Sequence, residues 1–134
     1  MLSGAGSAHG ALILRSPWAL APTLERLLAA FASKGLKVFA HIDQQAEARA
    51  VGLDQPPMHL LIVGNPRAGT PVMVAAPQSG LDLPLKVLVW ESVPGIVEVG
   101  LNRADYLAER YGLVPELVRN LQGLELLVHA VLSE

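Results

Sequence analysis

The chain has 134 residues, of which 51% are apolar and 16% are charged, and its formal net charge is −2. This length is typical of one domain that buries its own core. Proteins usually carry about 25% charged residues, so the shortage of charge predicts that a second subunit covers some apolar surface. The lack of a basic stripe argues against nucleic-acid binding. The lack of cysteine excludes disulfides, thiolate nucleophiles and cysteine-based zinc sites.

The N-terminal residues differ from the remainder of the chain. Residues 1–10 are small and polar, which predicts a flexible tail before a single domain at 11–134. The tail lacks the apolar stretch of a signal peptide. The apolar runs of the chain are far shorter than the roughly 20 residues needed to cross a bilayer. We therefore expect a cytoplasmic protein without a membrane partner.

The first half of the domain alternates between strand and helix patterns. A short apolar run ends at Ser16-Pro17, and leucines at helical spacing then begin near Pro22 and stop at Gly35. An alternating segment follows, and a continuous apolar run comes after two prolines. The predictions are strands at residues 11–14, 36–42 and 58–63, a helix at 22–34, and a short helix or turn at 43–51.

The second half predicts a hairpin and two closing helices. Two alternating segments are joined by the four residues Ser92 to Gly95, which is typical of a β-hairpin. The apolar stripe of the last helix is wide, which favours packing on a sheet over an isolated coiled coil. The predictions are helices at residues 71–76, 104–110 and 115–132 and strands at 85–91 and 96–101. The chain is thus predicted to be a two-layer α+β domain. Its mostly antiparallel sheet would have about five strands, with helices packed on one face.

Strand alternation separates two faces of the predicted sheet. The core face is predicted to hold Val38, Ala40, Val87 and Val89. The opposite face would hold basic, aromatic and aliphatic side chains: Lys37, Phe39, His41, Lys86, Leu88 and Trp90. This mixture predicts a subunit interface or a ligand platform, and an ordinary outer face is the alternative. We expect a homodimer through the Phe39/Trp90 face or through the C-terminal helix.

The turn from Gly64 to Pro71 is the densest cluster of unusual residues. Its glycines permit positive φ and close backbone approach. Thr70 suits a helix N-cap, with Pro71 at the first helical position. Free amides at that helix start, with Arg67 nearby, would suit a phosphate, sulfate or carboxylate. A purely structural turn is the alternative.

The Gly-x-x-x-x-Gly spacing of this turn is shared with phosphate-binding P-loops, but the rest of that motif is missing. Thr70 stands where the motif has lysine, and Pro71 stands where it has serine or threonine. The cation for the terminal phosphates and the magnesium ligand are both absent. Nucleotide binding through a P-loop is therefore excluded.

The four histidines do not show metal-ligand spacing, and we predict neither a metal nor a cofactor. His41 and Asp43 lie two residues apart at the end of a predicted strand. A carboxylate in that position could orient the imidazole as a general base. A structural or surface role for both residues is the alternative.

Several segments together resemble a known bacterial family. They are Phe39-Ala40-His41-Ile42-Asp43, Gly52-Leu53, Gly64-Asn65-Pro66, Gly69-Thr70-Pro71-Val72-Met73, Asp82-Leu83-Pro84-Leu85-Lys86-Val87-Leu88-Val89-Trp90 and Tyr106-Leu107. In order and spacing, from about residue 14 to residue 112, the chain resembles the family called domain of unknown function 302. The resemblance implies a small two-layer α+β domain that tends to dimerise. It implies no established reaction.

The resemblance also marks family-typical positions. These are Asp43, Asn65, Pro66, Gly69, Thr70, Asp82 and Pro84. One position departs, because the family often has a histidine directly after the Ile-Asp pair and this chain has Gln44. If that histidine serves a chemical role in the family, the role is lost or moved here.

The leading hypothesis is a non-catalytic homodimer that binds a small ligand or an anion. The predicted ligand-binding residues are Asp43, Gly64, Asn65, Arg67, Gly69, Thr70 and Asp82. No catalytic residue is assigned under this hypothesis. One alternative is an enzyme with an acid–base pair formed by His41 and Asp43. The other is a structural or partner-binding module that acts through the Phe39/Trp90 face.

Overall fold

The fold is seen in a computed structural model that describes residues 7–134. Within that range the sheet has five strands, all pairs are antiparallel, and the order is β1-β5-β4-β3-β2. The predicted two-layer α+β fold is confirmed. The elements are β1 (Ala11–Arg15), α1 (Leu20–Ser33), β2 (Lys37–Asp43), α2 (Gln44–Ala50), β3 (Met58–Gly64), α3 (Pro66–Ala75), a short 3-10 helix (Pro77–Leu81), β4 (Leu85–Val93), β5 (Ile96–Asn102), α4 (Ala104–Tyr111) and α5 (Pro115–Leu132).

The hydrophobic core lies between the sheet and helices α1 and α5. Leu27 and Phe31 of α1 are fully buried, and so is Val128 of α5. They pack on Val89 and Val99, which point to the same face because they are directly opposite each other in β4 and β5. Burial of a side chain of this size stabilises the fold by about 1.5–3 kcal/mol. These contacts hold the two helices against the sheet.

Helix α1 ends where the sequence predicts an end. Gly35 takes a left-handed φ of +71°, and the N–H of Leu36 donates to the carbonyl of Phe31 at 2.9 Å. This bond satisfies a carbonyl of the last helical turn, as in a Schellman-type C-cap. The chain thereby reverses and leads directly into β2.

A β-bulge in β2 interrupts the alternation of faces at Phe39. Val38 pairs with Val63, but Ala40 pairs with Ile62, so Phe39 is an extra residue in the ladder. Alternation is inverted after the bulge, and Ala40 points away from the helices. The prediction that Val38 and Ala40 share the core face is therefore wrong.

Trp90 lies on the other face, which helices α1 and α5 do not cover. Its ring approaches Gly100, and Ile13 packs on the same glycine from the neighbouring strand. Phe39 lies within the bulge, so strand alternation does not test its predicted grouping with Trp90. We call this side the open face; its apolar residues include Ile13, Leu60, Ile62, Leu88 and Trp90.

Helix α3 begins five residues earlier than predicted. Asn65 is its N-cap, and its Oδ1 accepts from the N–H of Arg67 at 2.9 Å. Pro66 takes the first helical position, and Pro71 lies inside the helix. The predictions of Thr70 as N-cap and of a helix start at Pro71 are wrong. Asn-Pro and Thr-Pro are both helix-start signals, and the first of them is used.

Two further features concern the hairpin and the N-terminal residues. The β4–β5 turn is tighter than predicted, since Val93 pairs with Ile96 and Gly95 has a φ of +84°. Residues 1–6 of the predicted tail lie outside the described residues. Gly10 packs against the ring of Tyr106. In the part of the chain from residue 7 onward, no helix has the length and apolar character needed to span a membrane.

Candidate functional site

A cavity of about 720 Å³ opens at one end of the helix layer. It lies between α3 and α5, over the end of β3 and the start of β4. Phe39 of the β2 bulge lines one flank. Leu121, Leu124 and Leu127 of α5 form the opposite wall. The wall is mostly apolar, and cavities that hold small molecules usually have this character.

Glycines in the wall keep the cavity open. A Cβ atom at Gly123 of α5, an exposed residue in the cavity lining, would have no neighbour within 4 Å. At Gly69 of α3 the nearest atom would be the Cε of Met73 at 4.0 Å. Glycine costs a helix about 1 kcal/mol relative to alanine. Both helices carry that cost at the points where they line the cavity.

Polar side chains are a small part of the lining. Lys34, Asn65, Thr70 and Asn120 supply them, and Lys34 is the single charged residue among the described lining residues. The Nδ2 of Asn120 donates to the carbonyl of Ala68 at 3.1 Å. That bond ties α5 to α3 beside the cavity. The site therefore combines an apolar interior with a few side-chain donors.

The backbone amides at the start of α3 do not form an anion site. The N–H of Arg67 donates to the side chain of Asn65, and those of Ala68 and Gly69 donate to its carbonyl at 2.9 Å. Pro66 has no N–H. Neither Gly64 nor Gly69 has a positive φ. The free amides expected at this turn are therefore already used within the protein.

The structure brings four of the seven predicted ligand-binding residues together. Gly64, Asn65, Gly69 and Thr70 all line the cavity. Gly64 is in close contact, because an added Cβ would lie 3.3 Å from the Cβ of Pro84. Arg67, Asp43 and Asp82 are not part of this lining.

Asp82 is used in a separate contact with the end of α4. Its carboxylate accepts from the hydroxyl of Tyr111 and pairs with Arg110, with an Nη1–Oδ2 distance of 3.1 Å. The hydrogen bond to Asp82 raises the pKa of Tyr111 above its ordinary value. This cluster fixes α4 against the entry to β4, directly before the cavity residues of that segment.

His41 and Asp43 also have partners of their own. The Nε2 of His41 lies 2.9 Å from the Nδ1 of His59, and Asp43 caps α2 by accepting from the N–H of Ala46. Burial lowers the pKa of His59; the Asp43 charge opposes this shift and His41 adds to it. The acid–base pair considered from the sequence is thus replaced by a histidine–histidine pair at the sheet edge.

Sequence reasoning missed the half of the cavity that α5 supplies. Asn120 and Gly123 lie far beyond the turn in sequence, within an otherwise ordinary amphipathic helix. The single local signal is a glycine in a helix interior, which usually has a packing or functional reason. In the sequence, Lys34 marks only the end of a predicted helix. Its position at the cavity depends on the path of the chain into β2.

The fold and the sequence agree on one family. The family described as Domain of unknown function DUF302 matches residues 13–129. The chain belongs to the DUF302 family. A crystal structure of an uncharacterized conserved DUF302 protein from Bacillus stearothermophilus has a TM-score of 0.78 to this DUF302 chain. That match covers 94% of this chain and 98% of the other at 24% identity, and so shows the fold.

Curated relatives from Brucella are longer proteins. The chain is 39% identical over 104 residues to the Fluoride-specific ion channel FluC 1 of Brucella suis biovar 1, a match that spans 78% of this chain and 41% of the relative. FluC 1 of Brucella abortus biovar 1 matches at the same identity, with 38% of its length covered. The chain therefore spans about two fifths of the length of these relatives.

Proposed function

We propose that this DUF302 domain binds a mainly apolar small molecule in the cavity between α3 and α5. The observation that carries the proposal is an apolar cavity of about 720 Å³, open to solvent on one side, between α3 and α5. Sites for small molecules usually have volumes of about 300–1,000 Å³ and few polar groups. The cavity lies within that range and has that composition.

The packing of the walls favours a ligand over a packing defect. Protein interiors are close-packed, and each empty space costs stability. Here the space is bordered by residues from several elements and lies beside the Asn120–Ala68 hydrogen bond. A ligand would restore the contacts that Gly69 and Gly123 leave open.

We also propose that the chain is a homodimer through the open face. Glu98 lies on that face between Arg15 and Trp90, is only 5% exposed, and its Oε2 has no hydrogen-bond partner among the described residues. A buried carboxylate is costly without a partner. A second copy would cover the apolar residues and could bring the basic side chain of Arg15 or Lys86 to Glu98.

Nile red, a neutral dye that fluoresces in apolar surroundings, tests the cavity. Purified protein should enhance its emission, and Gly123→Phe should remove most of that enhancement because the ring fills the cavity. Gln122→Phe adds the same ring on the exposed side of the same helix and should leave the emission unchanged. Gly123→Leu serves if the larger ring prevents folding. Equal emission from a folded Gly123 variant and the wild type would refute the proposal.

The curated relatives support a second candidate function, a role beside a fluoride channel. Its basis is the 39% identity to FluC 1 over 78% of this chain. Deletion of the gene that encodes this chain should then slow the growth of the source bacterium in medium that contains sodium fluoride. Re-expression of the chain should restore growth. Unchanged tolerance to fluoride in the deletion strain would exclude this role.

A further inference from the structure

We infer that the ligand of the cavity is a single-chain amphiphile with an anionic head group, held by Lys34 and Asn65 while its chain lies along α5. This inference rests on the proposed function, because it names the class of ligand for the same cavity. It depends on how charge and polarity are distributed around the site. Each part of that distribution is visible among the described residues.

The charge of the cavity has one sign. Lys34, at the end of α1, is its charged lining residue, and no described lining residue is acidic. Lys37 adds a second positive charge beside the same wall, since its Nζ lies 5.0 Å from the centre of the Phe39 ring. The ion pairs of the described residues are Arg26–Glu134 and Arg110–Asp82, so they involve neither lysine. An anion is the complement of this arrangement.

Two of the polar lining residues, Lys34 and Asn65, flank the Lys37–Gly64 end of the β2–β3 pair. Lys37 pairs with Gly64 across the β2–β3 ladder, and Asn65 follows directly. The Oδ1 of Asn65 is used by the N–H of Arg67, so its Nδ2 is the group that can donate to a ligand. A carboxylate or similar head would accept from this amide and from the ammonium group of Lys34.

The other wall suits an apolar chain. Leu124 and Leu127 line α5 side by side, and Met73 of α3 faces them across the cavity. Methionine adapts its shape to irregular apolar partners. Gly123 leaves room for a chain to pass close to the helix backbone. One end of the cavity therefore favours charge and the remainder favours hydrocarbon.

Three decyl compounds of matched chain length separate these requirements. Decanoate, decanol and decyltrimethylammonium are titrated below their micelle concentrations against the full chain, by calorimetry at low salt. Decanoate should bind at least ten-fold more tightly than decyltrimethylammonium, with decanol between them. Raising the salt should narrow the difference, because charges near the surface are screened. Equal affinity for the three compounds would overturn the inference and leave the proposed function intact.

Substitutions locate the head group. Lys34→Gln should weaken decanoate several-fold without changing decanol, and Lys34→Glu should reverse the preference in favour of decyltrimethylammonium. Lys86→Gln is the matched control, because Lys86 lies on the strand opposite Ile62, away from the cavity. If Lys34→Gln leaves decanoate binding unchanged, Lys34 does not hold the head and the inference fails.

Two other outcomes have separate meanings. If neither Nile red nor any of the three decyl compounds binds, the proposed function fails. If decanoate binds monomer alone, and sedimentation shows that dimer formation excludes it, a second copy of the chain occupies the cavity. That result would overturn the inference, since the apolar wall would then be a subunit contact.

Discussion

Two regions of the helix layer differ in how completely side chains fill them. Over the middle of the sheet, Leu27 and Phe31 of α1 are wholly buried against valines. At one end of the layer, Gly69 of α3 and Gly123 of α5 line the space between the two helices, and a cavity remains. Both regions lie on the same sheet. The size of the side chains on the helices therefore decides which region becomes core and which region becomes a site.

The largest expected effect compares the two phenylalanines of the chain. Phe31 is fully buried, whereas Phe39 is 43% exposed at the cavity. Phe31→Ala should lower the free energy of unfolding by about 3–5 kcal/mol, the usual cost of this truncation in a core. Phe39→Ala should cost less than about 1.5 kcal/mol and should weaken Nile red binding. Urea unfolding measures both. Equal costs would mean that the cavity end is packed as firmly as the core.

A second prediction extends the comparison to the open face. Leu88→Arg should raise the dissociation constant of the proposed homodimer by about a hundredfold, because it places a charge within an apolar interface. Sedimentation equilibrium at micromolar protein measures this change. Val74→Arg is the control, since Val74 is 77% exposed on α3. If Leu88→Arg and the wild type have the same oligomeric state, the open face is not the interface.

A third prediction uses two glycines with equally empty surroundings. Gly123→Ala should raise the free energy of unfolding by about 0.5–1 kcal/mol, because alanine favours the helix and the added Cβ meets no atom within 4 Å. Gly35 also has open space, but its φ is +71°. Gly35→Ala should therefore lower the free energy of unfolding by about 1–2 kcal/mol. Thermal or urea unfolding distinguishes the two signs. A loss at Gly123 would show that the helix wall cannot accept even a methyl group.

The smallest expected effect concerns the edge of the sheet. Burial lowers the pKa of His59 below its ordinary 6.5, so the unfolded chain binds this proton more readily than the folded chain. The stability linked to His59 is therefore present above about pH 6.5 and is lost as the pH falls below that value. Melting temperatures measured from pH 7.5 to 5 should show the decline.

His59→Gln should flatten that decline. His129→Gln, near the end of α5, should retain it. An unchanged pH dependence in His59→Gln would show that another group is responsible. A flat profile for the wild type would contradict the direction of the pKa shift itself.

The sequence was sufficient for the elements and the fold class, because periodicity and Gly or Pro punctuation are local signals. It was insufficient for the bulge at Phe39, which exists only through the register between β2 and β3. The start of α3 was misread because two helix-start signals, at Asn65 and Thr70, compete within six residues.

The candidate site was only half visible in the sequence. Gly64, Asn65, Gly69 and Thr70 belong to one continuous segment, so local reasoning could select them. Their partner wall comes from α5, whose position over α3 is a result of tertiary packing. Asp43 and Asp82 are not in the lining, because Asp43 caps α2 and Asp82 binds Tyr111 of α4.

The bulge in β2 has a consequence for how copies of this chain can associate. β2 is an edge strand, and a regular edge offers a row of N–H and C=O groups to which another chain can add. The extra residue at Phe39 interrupts that row and twists the strand locally. Continuation of the sheet from one molecule into the next through this edge is thereby discouraged. The same irregularity that closes one flank of the cavity also protects the chain against open-ended polymerisation.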